Sequence, residues 1–319
     1  MSEYLVTGGA GFIGSHIAAA LLAEGHGVRV FDNFSTGHRA NVEFGGAGKR
    51  LRVIEGDVRD PKAVEEAAAG VTGIYHEAAL PSVQRSVDDP ATTHSVNADG
   101  TINALEAARR QGVKRFVYAG SSSVYGDNPS LPKSEEMLPA PMSPYAVSKL
   151  VGEYYCRVYA HLYGIQTVTL RYFNVFGPRQ DPDSPYAAVI PLFVQALAAG
   201  RRPKIYGDGL QSRDFTYIDN VVRANLLAMK AEGLRGEVLN VAMGERVSLL
   251  EMLKALEGII GRPANPEHAP ARAGDVKHSL ADISRARQVL GYEPGIRLEE
   301  GLRRTVEHLM PAGGKRPER

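Results

Sequence analysis

The stretch that most constrains this chain is Tyr4-Leu5-Val6-Thr7-Gly8-Gly9-Ala10-Gly11-Phe12-Ile13-Gly14. A short apolar run stops at a glycine turn. Ile13, Ile17 and Leu21 then recur at helical spacing up to Gly25. The order is strand, glycine turn, helix. Gly8, Gly11 and Gly14 stand three apart. Glycines there let the backbone approach a pyrophosphate, and the helix N-terminus aims N–H groups at it. Glycine turns are common in proteins; the strand before this one and the helix after it point to a dinucleotide.

The same alternation continues. Residues 28–31 read as a second strand with Asp32 at its end. A carboxylate there accepts from both ribose hydroxyls and repels a 2′-phosphate, which favours NAD over NADP. Asn33 opens the loop that follows. A third strand at 51–55 leads to Asp57 and Val58, placed to meet the adenine. A fourth at 73–76 leads to Ala78 and Ala79, small enough for a cofactor to pass closely. A helix over 99–111 and a fifth strand over 115–119 lead to Ser121-Ser122-Ser123. A sixth strand covers 167–172. Strands alternating with helices give an α/β fold, a Rossmann-type, doubly wound parallel sheet. Ligands bind beyond the carboxyl ends of such strands.

Past Asn174 the alternation breaks. A Pro- and Asp-rich loop over 178–188 precedes a helix from about Val189. The runs 204–206 and 214–218 flank Gly207-Asp208-Gly209, the pattern of a hairpin. Asp219 reads as the cap of the next helix. Residues 237–242 read as a strand returning to the sheet. The expected organisation is a dinucleotide-binding domain over 1–174. A smaller, interleaved α+β substrate lobe takes 175–236 and 243–310, and a small, polar, basic tail at 311–319 is expected to be disordered.

Composition removes several function classes. A net charge of +1 gives no electrostatic case for nucleic acid or an acidic membrane surface. No apolar run approaches a membrane span. Cys156 is the only cysteine, so an intrachain disulfide is excluded and a cysteine metal site is disfavoured. A reducing cytoplasm fits, and no metal is expected.

The chemistry lies in Ser143-Pro144-Tyr145-Ala146-Val147-Ser148-Lys149. Pro144 suits the first turn of a helix. Tyr145 and Lys149, four apart, share one face. A phenol working near pH 7 needs a downward shift of roughly three units, about 4 kcal/mol. A nearby ammonium supplies part of it and a second positive charge the rest. Taken alone, the pair also fits an ordinary exposed turn; the dinucleotide pattern around it favours a base. The helix runs to about Tyr163, with Val151, Tyr154, Tyr155, Val158, Tyr159 and Leu162 spread around more than one face. One side is expected to pack on the sheet and the other on a second subunit, making a homodimer.

Together TGGAGFIGS (7–15), SSSVYG (121–126), YAVSK (145–149), RYFNVFGPRQ (171–180), RDFTYIDN (213–220) and RAGD (272–275) resemble the extended short-chain dehydrogenase/reductase superfamily. More closely, the chain resembles the UDP-hexose 4-epimerases. The resemblance implies that Gly8, Gly11, Phe12, Ile13 and Gly14 hold the NAD pyrophosphate. It implies Asp32 and Asn33 at the adenine ribose, and Asp57 and Val58 at the adenine. Ala78, Ala79, Asn97, Lys149 and Tyr172 line the rest of the cofactor. Ser121, Tyr145 and Lys149 are implied as the catalytic set. Ser82, Ser122, Asn174, Ala188, Val189, Tyr206, Arg213, Arg272, Asp275 and Ser279 are implied around a UDP-sugar.

The implied chemistry is proton removal from the sugar 4-hydroxyl by Tyr145, hydride exchange with NAD, and return of hydride to the opposite face of a 4-keto sugar. Dehydratases and decarboxylases of the superfamily carry acids where this chain has Ser122 and Ser123, which disfavours elimination. Ser279, where UDP-glucose-restricted relatives carry Tyr, and Pro81, where many carry Lys, favour UDP-GlcNAc/UDP-GalNAc alongside UDP-glucose/UDP-galactose. Two other readings use the same fold: a net-redox enzyme on a nucleotide sugar, and a non-catalytic NAD-binding sensor.

Overall fold

The computed structural model describes residues 2–184, 187–270 and 277–310. In its first half β1 (Glu3–Thr7), α1 (Phe12–Ala23), β2 (Gly27–Asp32), β3 (Leu51–Glu55), α2 (Pro61–Ala68) and β4 (Gly73–His76) follow one another. Then come α3 (Val83–Asp88), α4 (Pro90–His94), α5 (Gly100–Arg110), β5 (Arg115–Ser121), α6 (Pro144–Tyr163) and β6 (Gln166–Tyr172). The second half holds β7 (Val175–Phe176), α7 (Val189–Ala198), β8 (Lys204–Tyr206), β9 (Ser212–Arg213), β10 (Thr216–Tyr217) and α8 (Ile218–Lys230). It ends in β11 (Glu237–Val241), β12 (Val247–Ser248), α9 (Leu249–Ile260), β13 (Glu267–Ala269), α10 (Ser284–Leu290) and α11 (Leu298–Leu309).

Seven parallel strands form one sheet in the order β3-β2-β1-β4-β5-β6-β11. Strand order reverses between β1 and β4, which makes their carboxyl ends the crevice of the fold. Every residue of β4 is buried, and so is every residue of β6 after the first. Both strands are covered on both faces, and their polar residues His76, Thr167, Thr169 and Arg171 are buried with the apolar ones. Leu5, Ile74, Phe116 and Leu105 build the core on one face. Val6, Ile17, Leu21 and Leu170 build the other, which runs on through Phe193, Leu253 and Leu302 of the second half.

Local signals set the helix ends. The Asp60 carboxylate accepts from the Lys62 and Ala63 N–H groups, and Pro61 opens α2. The Ser143 hydroxyl accepts from the Ala146 N–H at 3.1 Å, Pro144 opens α6, and Gly164 at φ +66° closes it.

Two readings are corrected. The hairpin around Gly207-Asp208-Gly209 does not form. β8 pairs with β13, β9 with β12 and β10 with β7, so each run finds a distant partner. The Gln211 side-chain amide closes the turn by donating to the Tyr206 carbonyl at 2.6 Å, where a ladder bond would have stood. Asp219 is not a cap. Tyr217 holds that position, and Asp219 lies in the first turn, paired with Arg304 at 3.0 Å. Residues 311–319 and the RAGD segment, with Arg272 and Asp275, lie outside the described residues.

Candidate active site

The groove lies along the carboxyl ends of the strands. At the end of β1, Gly8 sits at φ +65°, and a Cβ on it would stand 2.6 Å from the Ala78 backbone nitrogen. A Cβ on Gly14 would stand 2.3 Å from the Gly8 carbonyl oxygen. Side chains are therefore excluded where α1 begins, which leaves the backbone of the turn open to close approach. Phe12 and Ile13 open α1 and pack partly buried beneath the turn.

At the end of β2 the Asp32 carboxylate accepts from the Ala10 N–H at 2.9 Å on one oxygen. It accepts from the Phe34 N–H at 2.8 Å on the other. Burial pushes this carboxyl up, and the two N–H groups pull it down. Braced through one lone pair on each oxygen, it keeps the other pair for a ribose. The Asn33 amide donates to Asp57 at 2.9 Å, and Arg59 grips the same carboxylate, holding it below the usual carboxylate range. Val58 is buried against Gly100. A cradle that a Cβ would fill and a braced ribose carboxylate fit a dinucleotide of the NAD type.

Two residues expected along the cofactor spend their side chains inside the protein. Asn97 is buried; its oxygen accepts from the Leu80 N–H at 2.8 Å and its nitrogen donates to Ser148 Oγ at 3.0 Å. It thereby ties the loop after β4, with Ala78 and Ala79, to α6. The Tyr172 hydroxyl donates to Glu77 Oε1 at 2.9 Å and meets the Asn225 amide of α8 at 2.8 Å. Its ring is 8 % exposed, so only its edge is left for a cofactor.

Past β5, Ser121 Oγ accepts from the Ser123 N–H at 3.2 Å and lies 2.9 Å from Ser123 Oγ. Ser122 begins the short turn that this bond caps. The Tyr145 phenol lies close to the Ser121 hydroxyl. Burial pushes it up and Ser121 pulls it down. Lys149 is 4 % exposed and donates to the Ala119 carbonyl at 3.0 Å, its ammonium 5.2 Å from the Tyr118 ring centre. The ammonium is thus anchored on a carbonyl of β5, one helical turn from the phenol.

On the second half, Asn174 leaves β6 at φ +34°, its amide donating to the Asp214 carbonyl at 3.2 Å. Ala188 caps α7 and Val189 begins it. Tyr206 ends β8. Arg213 on β9 donates to the Ser212 and Lys277 carbonyls. The Ser279 N–H donates to the Ser212 carbonyl at 3.0 Å, which sets residue 279 beside Arg213. Arg246 and Lys277 join Arg213 in holding His278 below its usual value, after burial. Ser82 caps α3 by accepting from the Arg85 N–H, which leaves its O–H to donate.

Three acidic positions carry weight that sequence reasoning missed. Glu77 follows β4. Asp214 is fully buried, its carboxylate accepting from the Met243, Gly244 and Ala281 N–H groups at 3.0, 3.1 and 3.2 Å. Glu153 pairs with Arg171 inside the protein. An acid within an apolar run is the signal that finds Glu153; Asp214, after Ser212 and Arg213, and Glu77 give none until their partners are known.

The sequence matches the NAD dependent epimerase/dehydratase family over residues 4–242. It is 42% identical over 313 residues to a UDP-glucose 4-epimerase of Mycolicibacterium smegmatis, covering 95% of this chain and 97% of that one. The fold superposes on a UDP-N-acetylglucosamine 4-epimerase from Methanobrevibacter ruminantium with a TM-score of 0.91 at 38% identity, covering 96% and 97% of the two chains. A Thermus thermophilus UDP-glucose 4-epimerase solved with NAD superposes with a TM-score of 0.87 at 39% identity, covering 97% and 99%. The matched length, the glycine cradle and the Ser121–Tyr145–Lys149 cluster agree: this chain belongs to the NAD dependent epimerase/dehydratase family, and NAD is its cofactor.

Proposed function

We propose that this protein is a UDP-hexose 4-epimerase that interconverts UDP-GlcNAc and UDP-GalNAc, and also UDP-glucose and UDP-galactose. The observation that carries the reading is the meeting of Ser121, Tyr145 and Lys149 at the end of β5, beside the glycine cradle, with hydroxyls and no acid at 122 and 123. When bound, NAD supplies the hydride acceptor and donor. Tyr145, as phenolate, takes the proton of the sugar 4-hydroxyl and later returns it. Ser121 bridges the phenol and the sugar oxygen. Lys149 adds positive charge one helical turn from the phenol.

Gly8, Gly11, Phe12, Ile13, Gly14, Asp32, Asn33, Asp57, Val58, Ala78 and Ala79 hold the dinucleotide. Arg213, with Arg272 and Asp275, takes the UDP end together with Asn174, Ala188, Val189 and Tyr206. Affinity concentrated on a diphosphate leaves the sugar free to turn over between hydride departure and return. Ser279 and Ser82 leave room for an N-acetyl group. Both UDP-glucose and UDP-GlcNAc epimerases occur among the relatives, which supports a broad reading.

The working unit is a homodimer through α6. Val147, Tyr154, Val158, Leu162 and Tyr163 are 44–60 % exposed there, and Val83 and Val87 of α3 lie exposed on an element packed against it. A band this apolar needs a partner.

The test is a product assay without added cofactor, run separately on UDP-GlcNAc and UDP-glucose. Both sugars are expected to convert with no net NADH, and Tyr145→Phe to lower kcat by about 10²–10⁴. Stoichiometric NADH would indicate a net-redox enzyme instead. Unchanged turnover in Tyr145→Phe would remove the assigned base.

A further inference from the structure

Asp214 follows Arg213 in the chain and lies between β9 and β10 without reaching solvent. Its Oδ1 accepts from the Met243 N–H at 3.0 Å. Its Oδ2 accepts from the Gly244 N–H at 3.1 Å and the Ala281 N–H at 3.2 Å. The main chain adds a fourth contact, the Asn174 amide donating to the Asp214 carbonyl at 3.2 Å. One residue thus ties together the end of β6, the turn after β11 and the run 277–283, which are far apart in sequence. A carboxylate suits the task because it offers two oxygens and no donor; an amide would turn its NH2 towards one of the N–H groups. Burying a carboxylate is costly unless those bonds are made, so the three N–H groups are held to it.

Each tied stretch serves the end of the groove proposed for UDP. Asn174 belongs to it directly. The turn at Met243 and Gly244 leads into β12, which pairs with β9 so that Val247 stands beside Arg213. Ala281 lies two residues past Ser279. The Ser212 N–H donates to the Lys277 carbonyl at 3.0 Å, and the Ser279 N–H returns to the Ser212 carbonyl at 3.0 Å. Arg213 itself donates to the Lys277 carbonyl at 3.1 Å.

The run 280–282 has a second support. The Lys133 N–H donates to the Leu280 carbonyl at 2.7 Å, and the Asp282 N–H donates to the Lys133 carbonyl at 2.9 Å. The Asn240 amide donates to the Asp282 carbonyl at 3.1 Å. None of these bonds uses the Ala281 N–H, which goes to Asp214. The run therefore stays attached without Asp214, and what Asp214 adds is its placement against β9.

We infer that Asp214 is a positioning residue for the nucleotide-diphosphate end of the substrate, its buried carboxylate setting Arg213, Asn174 and Ser279 at fixed places relative to one another. The inference rests on the UDP-sugar reading for what those residues bind, and on hydrogen bonds for how they are held.

The test pairs calorimetry with kinetics. UDP is titrated into the NAD-loaded protein, and KM and kcat are measured on UDP-glucose and UDP-GlcNAc. Asp214→Asn keeps the size of the side chain and gives up one acceptor oxygen. It should raise the UDP Kd and both KM values by about tenfold or more, with kcat within about threefold and the NAD content unchanged. Combined with Arg213→Ala, the two losses of UDP affinity should be less than additive, because an arginine already out of place has less to lose. Ala281→Pro removes one N–H donor at a residue outside the substrate contacts and should weaken UDP in the same direction, so the result does not hang on the folding of Asp214→Asn.

An unchanged UDP Kd in both variants, or losses that add fully with Arg213→Ala, would overturn the inference. Two variants that fail to fold, or a fall in kcat and NAD content alongside UDP affinity, would make Asp214 a general structural residue and overturn it too. A parent chain that does not bind UDP would remove the UDP-sugar reading and the inference with it. A chain that binds UDP through Asp214 yet converts neither sugar would keep the inference and sink the epimerase reading.

Discussion

The specificity proposed for residue 279 depends on how its backbone is held. Its N–H is pinned to the Ser212 carbonyl, and the Ser212 hydroxyl meets His278 Nδ1 at 2.8 Å, so the Ser279 side chain has a fixed origin beside Arg213. Ser279→Tyr is expected to cut kcat/KM for UDP-GlcNAc by about 10–200-fold while largely sparing UDP-glucose, the range a pocket wall achieves by size. Paired assays on the two sugars check it; an equal loss on both would show that Ser279 does not face the N-acetyl group. At this scale legibility depended on chemistry. Gly8, Gly14 and Asp32 could be read because their residue types are rare solutions to one problem, close backbone approach or ribose binding. Glu77 could not, because a lone acid after a strand has no meaning until the fold brings its partner Tyr172 to it. Asn97 and Tyr172 came only from the family resemblance, and their side chains turn inward because buried polar atoms must find partners.

The element that matters most is α6. It carries Tyr145 and Lys149 in its first turns, and its inner face is bolted to β6 by a buried ion pair. Arg171 donates to both Glu153 oxygens at 3.0 and 2.7 Å, with the two side chains 2 % and 4 % exposed. The Tyr125 ring covers the guanidinium at 4.7 Å. Glu153→Gln leaves a buried cation without its counter-charge, which costs about 3–5 kcal/mol. A urea melt should show it as a lower midpoint; a change under 1 kcal/mol would mean that the pair behaves like an exposed one. Legibility again had a physical basis. The start of α6 was marked by Ser143 and Pro144, local signals a few residues long. The partners of β8, β9 and β10 lie far along the chain, so Gly207-Asp208-Gly209 suggested a hairpin that longer-range pairing outcompeted.

For the whole molecule, the outer face of α6 is the open question. Leu162→Asp places a charge in the exposed apolar band and is expected to convert a dimer into a monomer at micromolar concentration, read by sedimentation velocity. A monomeric parent chain would remove the dimer from the proposal. The sheet itself was legible at long range: residues 237–242 read as a returning strand, and β11 pairs with β6 in parallel from Glu237 beside Val168 to Val241 beside Tyr172. Its apolar run announced a buried strand, and the sheet had an edge to receive it.

That closing strand also sets a clock. Roughly sixty residues separate β6 from β11. At a synthesis rate of about 5–20 residues per second, the edge of β6 waits about 3–12 s on the ribosome before its neighbour exists. During that interval the row from Val168 to Tyr172 is an unpaired strand edge, the kind of template on which another strand can add. The intervening chain holds β7, α7, β8, β9, β10 and α8. The stretch 175–236 therefore has to be made before β11 can complete the sheet, while 243–310 follows it.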